Sequence, residues 1–248
     1  MVFASPLKSF QVDSLSKRWV AFLLLILLWG VSFWFYKFPP GDPDFSAYVD
    51  WAEEMMDAED YYEAYSKHPL DSVVTWGNVL YAFCALLFLF FLQLVIWFYF
   101  VLYSCDARKV PLSKAVAIYF TRIWWMLLFC MAAVIPFFLL VSVLPVVLLF
   151  YVPALYAVSG LVFMDKINPF SAIPRSMRKT FGHKMPIFLD MCVIFFVLFA
   201  CLNVSGLILH AGSTGMALVN SFLTAYFTLV IARNMGIRYQ MITLLSHE

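Results

Sequence analysis

Charge is scarce in this chain. Lys, Arg, Asp and Glu supply 12% of its 248 residues, about half the share of an ordinary soluble domain. So little charge cannot clothe a water-soluble surface, which excludes the soluble globular class. Recognisable chemistry is scarce too. The sequence holds no GxSxG, HExxH, Walker loop, Rossmann fingerprint or deaminase-type motif. No two carboxylates share a position deep in an apolar run, so intramembrane proteolysis has no candidate pair. Neither His183 nor His210 has a partner at metal-ligand spacing. No enzyme, cofactor or metal is therefore expected. Nucleic-acid binding is also unsupported, because the cations are few and flank apolar runs. The five cysteines (Cys84, Cys105, Cys130, Cys192, Cys201) are odd in number, scattered and without a CxxC pair. They read as small hydrophobes within helices.

What is present is apolar length. Hydrophobic residues make up 64% of the chain, with 27 Phe, 8 Trp and 13 Tyr, and the mean hydropathy is +0.88. Six stretches are long enough to cross a bilayer at about 20 residues each. They cover about 19–38, 73–103, 115–140, 144–163, 186–207 and 216–232. The expected fold class is all-α: one polytopic membrane helical bundle spanning 1–248. The first stretch is followed by Pro39-Pro40-Gly41-Asp42 rather than a small-residue cleavage site, so an uncleaved first span is expected. Residues 115–163 are too long for one crossing and suit two, joined near Leu140–Pro145. Pro136, Pro145 and Pro153 are expected to interrupt them.

Charge segregation sets the orientation. The N-terminus, residues 104–122, loop 164–184 and the tail hold 14 of the 16 Lys and Arg, and six crossings put these regions on one side. The positive-inside rule then predicts both termini in the cytoplasm. Ten of the 15 acidic residues fall in 39–72, on the other side. There the apolar positions Phe45, Tyr48, Val49, Ala52, Met55 and Met56 follow a near-helical spacing, with Asp44 or Ser46 as the cap. The expectation is an acidic amphipathic helix across the outer mouth, its apolar face packed on the spans. Asp50, Glu53, Glu54, Asp57, Glu59, Asp60 and Glu63 form its acidic face. That face reads as solvated structure, as a dock for a basic partner, or as a cation site lacking the calcium-loop glycine.

The inner loop reads differently. Asn168-Pro169 marks a helix start and Gly182 a stop, while Phe170, Ile173, Met177 and Phe181 recur at three- and four-residue steps. Pro174 is expected to weaken the first turns. Arg175, Arg178, Lys179 and, just beyond, Lys184 are candidates for anionic phospholipid headgroups, each worth about 1 kcal/mol near the surface. An ordinary positive-inside loop is the alternative.

This loop also carries a resemblance. Pro169, Ala172, Ser176 and Gly182 resemble the pattern P-x-x-A-x-x-x-S-x-x-x-x-x-G found between two spans of YciC-like bacterial membrane proteins. A related membrane domain is attached to some glycerophosphodiester phosphodiesterases. The likeness covers about 105–200 and leaves the acidic segment outside. It implies a polytopic protein of the bacterial inner membrane with an interfacial inner helix. It implies no catalytic residue, because the phosphodiesterase chemistry of such fusions sits in a separate soluble domain.

Ionisable residues inside spans are functional candidates. Arg122 and Asp190 lie roughly 6–11 Å from the inner surface at 1.5 Å per residue. Asp190 is expected to pair with Arg122 or with a loop base such as Arg178; a proton or ion relay is the competing role. Asn78, Gln93 and Asn203 are expected to hydrogen-bond between helices. The leading functional expectation is a non-enzymatic membrane-embedded subunit or lipid-associated accessory factor, with a protein partner or a second copy of the chain. A small-solute or ion transporter or channel is the alternative, and a membrane-acting defence, competition or immunity factor the second.

Overall fold

The computed structural model describes residues 4–13, 15–57, 61–66, 68–143, 148–210 and 212–245. Among these there are helices and turns but no strand. A short helix, α1 (Ala4–Ser9), precedes the first long one, α2 (Arg18–Lys37), and another, α5 (Leu70–Val73), ends the acidic segment. The acidic segment holds α3 (Ser46–Asp57) and α4 (Tyr61–Ser66). Beyond it come α6 (Trp76–Ala107), α7 (Leu112–Val143), α8 (Leu148–Leu155), α9 (Val158–Phe163), α10 (Pro169–Lys179), α11 (Lys184–Ile208) and α12 (Thr214–Leu245).

Five of these helices contain stretches long and apolar enough to cross a membrane: Arg18–Lys37, Trp76–Ala107, Leu112–Met131, Lys184–Ile208 and Thr214–Thr243. The stretch 144–163, expected as one crossing interrupted by proline, holds α8 and α9 with a break at Tyr156-Ala157. Pro153 lies inside α8 without ending it, and the break follows where the Tyr156 amide donates to the Pro153 carbonyl at 3.3 Å in a tighter turn. Residues 148–163 would reach about 24 Å as helix, short of a hydrocarbon core of about 30 Å. Pro136 does not interrupt α7, which continues to Val143. The turn expected near Leu140–Pro145 falls partly on 144–147, outside the described residues.

Helix α12 is the axis of the bundle. It packs on α1, α2, α6 and α11, and small residues on its buried face (Ser221, Ala225, Ala232) admit close neighbours. Gly236 takes this furthest, because a Cβ there would overlap the Tyr103 ring. The helix is also longer than expected. It runs well past 232, carrying Arg233 and Arg238 into the packed interior rather than into a tail.

The two ends of α6 locate the two charged segments. At its start Thr75 caps the helix by accepting from the Asn78 amide at 3.2 Å. The Asn78 side chain then clamps the acidic segment, accepting from the Asp44 amide at 2.8 Å and donating to the Asp44 carbonyl at 2.6 Å. Asn78 therefore ties a loop to a helix rather than one span to another. Near the other end, Cys105 shares a buried cluster with Ala115, Phe163 and Ala172, which places α10 there. Some 30 residues of helix, about 45 Å, separate the acidic and basic segments. The N-terminal segment lies at the basic end: the Ser16 amide donates to Asp106 at 3.0 Å, and Tyr99 donates to the Val12 carbonyl at 2.5 Å.

Candidate functional site

Three polar features gather at the basic end. The first is a buried cluster centred on Asp190, which is 1% exposed. Arg238 holds it by two bonds, Nε to Oδ2 at 2.6 Å and Nη2 to Oδ1 at 2.7 Å, and also donates to the Pro186 carbonyl at 3.2 Å. Asn234, one turn earlier on α12, donates to Asp190 at 3.0 Å and to the Ser9 hydroxyl at 3.1 Å. Its carbonyl accepts from the Tyr156 hydroxyl at the α8–α9 break. Four separate segments thus meet in one cluster, with Ser9 and Tyr156 joined to it through Asn234.

This corrects the expected pairing. Asp190 meets neither Arg122 nor Arg178 but Arg238, because α12 stays helical beyond 232 and lies against α11. Asn234 and Arg238 are four residues apart and so share one helix face. Sequence reasoning missed both, along with Tyr156 and Ser9. The available signal was the apolar run after Arg233 (Met235, Ile237, Tyr239, Met241, Ile242), which contains no proline to stop a helix.

A second polar pairing fixes the loop before α10. Tyr239 donates to Asp165 at 2.8 Å, and Lys179 Nζ lies 3.6 Å from the same carboxylate. Gly160 makes room for the Tyr239 ring, since a Cβ there would overlap it. Arg233 lies over the Tyr103 ring, 5.4 Å from its centre.

Helix α10 is the third feature. Asn168 caps it by accepting from the Phe170 amide at 3.0 Å, with Pro169 at the first helical position and Gly182 turning the chain at φ +81°. Pro174 lies within the helix without breaking it. Its missing donor affects the Phe170 carbonyl, in the exposed first turn. The docked face is made of small residues: Pro169, Ala172, Ser176 and Thr180 are buried, and the Ser176 hydroxyl donates to the Ala154 carbonyl at 2.5 Å. The large groups point away from the bundle. Phe170, Met177 and Phe181 are exposed, as are Arg175 and Arg178. Lys179 is shared with Asp165, and Lys184 is the half-buried first residue of α11.

Beside the Asp190 cluster, a cavity of about 420 Å³ opens between α6, α7, α8, α11 and α12, touched by Gln93, Trp97, Tyr156, Ser159 and Met235. Arg122, expected at the carboxylate, instead lines a separate cleft with Lys114 and Lys166.

The acidic end is built loosely. Ser46 donates its amide to the Asp44 carboxylate at 2.9 Å. This bond and the Ser46 side chain hold that carboxyl below its ordinary range. Helix α3 packs on α4 and α5, and Trp51 contacts the His68 ring at 4.5 Å. Tyr48, Val49 and Met56 remain exposed, so α3 does not lay its whole apolar face on the spans. Asp50, Glu53 and Glu54 are exposed. Glu59 and Asp60, and the side chains of Asp57 and Glu63, lie outside the described residues. Among the described residues no cluster of three metal-ligating side chains occurs. Asn203 bonds back to the Phe199 carbonyl of its own helix.

Searches of protein-family models, curated proteins and solved structures return no match to this chain.

Proposed function

We propose that this chain is a non-enzymatic integral membrane protein that serves as a membrane-embedded subunit or lipid-associated accessory factor. Helix α10 then lies at headgroup level on the cytoplasmic face of a bacterial inner membrane, as in YciC-like proteins. The observation that carries the reading is the division of α10 between its two faces. Small residues anchor it to the bundle, while Phe170, Met177 and Phe181 project outward beside Arg175 and Arg178. Exposed rings next to exposed guanidinium groups suit the boundary between acyl chains and anionic headgroups. The tetrad Pro169, Ala172, Ser176 and Gly182 starts, docks and ends that helix.

Affinity purification of the full chain in mild detergent, followed by mass spectrometry of bound lipids and proteins, tests the reading. Anionic phospholipid should be enriched over zwitterionic lipid, and replacing Arg175 and Arg178 by Gln should reduce the enrichment two- to fivefold. Equal retention of both lipid classes, with no co-purifying protein, would reject it.

The interrupted α8–α9 stretch and the cavity beside it favour a second reading, a small-solute or ion transporter or channel. Broken helices supply backbone polar groups to such sites. Solute or ion flux in proteoliposomes, lost when Tyr156 or Ser159 is replaced, would move the assignment there.

A further inference from the structure

Helix α7 sorts its residues by size and charge in a way that the α10 surface does not explain. Ala115, Tyr119, Ile123, Met126 and Phe129 are buried against the bundle. The opposite stripe, Phe120, Trp124, Leu128 and Met131, faces outward, with Trp124 70% exposed. In a membrane protein that stripe faces acyl chains. At its basic end, between the two faces, a cleft of about 360 Å³ is lined by Lys114, Arg122, Thr121 and Lys166, with Ile118 and Phe163 as apolar walls.

Three cations on one cleft repel each other unless an anion joins them. No carboxylate lines this cleft, and among the described residues none lies within ion-pair distance of Lys114, Arg122 or Lys166. The nearby Asp165 is already engaged by Tyr239 and Lys179. Lys114, Ile118 and Arg122 follow at four-residue steps, so both α7 cations share one helix face. Lys166 enters from the loop between α9 and α10. Arg122 lies about 15 Å along α7 from Leu112, a depth from which its long side chain reaches back to headgroup level.

The geometry points to a specific site for an anionic phospholipid in this cleft, its phosphate held by Lys114, Arg122 and Lys166. One acyl chain runs past Ile118 and along Trp124, Leu128 and Met131. The proposal rests on the lipid-associated reading above and gives it a second, deeper contact, separate from Arg175 and Arg178. The walls favour a lipid over a free phosphate. Ile118 and Phe163 offer nothing to a hydrated ion, and Thr121 on the cleft lies one helical turn from Trp124 on the lipid-facing stripe.

The test uses the full chain in nanodiscs of phosphatidylcholine containing one-fifth phosphatidylglycerol, released into the gas phase for native mass spectrometry. Wild type should retain phosphatidylglycerol. Lys114→Gln with Arg122→Gln and Lys166→Gln should reduce retained lipid at least fivefold, whereas Arg122→Lys alone should keep more than half. Inorganic phosphate at millimolar concentration should not displace the lipid. A fold defect in the triple variant is recognised by its melting temperature, and Lys166→Gln, on a loop, then provides the second measurement with an expected loss of about twofold. Retention unchanged in both the triple and the Lys166 variants overturns the site, and so does displacement by inorganic phosphate. Loss confined to the Arg175 and Arg178 variants overturns this site but leaves the lipid-associated reading standing. No preference for phosphatidylglycerol in wild type overturns both.

Discussion

Polar residues are treated in opposite ways at the two ends of α6. At the basic end they are drawn between helices: Asp190, Arg238, Asn234 and Tyr156 form one buried cluster across α11, α12 and the α8–α9 break. At the acidic end the carboxylates Asp50, Glu53 and Glu54 stay exposed, and a single buried residue, Asn78, clamps the Asp44 backbone. The contrast shows where the bundle spends specificity. A buried charge pair is a poor source of net stability but a strong constraint on which helices meet, since any misplacement strands a charge in an apolar medium. Exposed carboxylates impose no such constraint and leave their segment adaptable.

The largest effect is expected where the contrast is sharpest. Asp190→Asn leaves the Arg238 guanidinium buried without its counter-ion, and should lower unfolding stability in detergent by about 3–5 kcal/mol. Adding Arg238→Gln should recover part of that loss, because the stranded charge is gone. A single and a double variant with equal melting temperatures would show that the pair is not coupled. A smaller effect is expected at Gly160, where a methyl group meets the Tyr239 ring. Gly160→Ala should cost about 1–3 kcal/mol by overpacking and loosen the Tyr239–Asp165 bond that fixes the loop before α10. Limited proteolysis of residues 164–168 reports that loosening. The smallest effect belongs to the acidic end: Asp50→Asn, Glu53→Gln and Glu54→Gln together should stay within about 0.5 kcal/mol of wild type. A larger change in the melt would mean that the acidic face is structural after all.

Much of the fold was legible in the chain itself. Apolar runs of crossing length and the helical spacing across Phe170–Phe181 appear where the helices form. The start at Asn168-Pro169 and the turn at Gly182 are read directly from local conformational preference. The tail was misread, because Arg233 and Arg238 look like the end of a span when only charge is counted. The helix continues because nothing in Met235–Leu245 stops it and because Asp190 waits on α11 to receive Arg238. The α8–α9 break was expected from Pro153, but its use as the place where Tyr156 reaches Asn234 was not.

Crossing segments, the separation of acidic from basic loops and the amphipathic character of α10 were determined by the sequence alone. Each depends on residues within a turn or two of one another and on their affinity for lipid or water. Which arginine meets Asp190, and that Lys166 joins Arg122 in its cleft, was decided only by the tertiary structure. Asp190 and Arg238 lie 48 residues apart, and Arg122 and Lys166 lie 44 apart. A desolvated charge accepts whichever partner the packing of neighbouring helices brings within bonding distance, and local pattern carries no record of that neighbour.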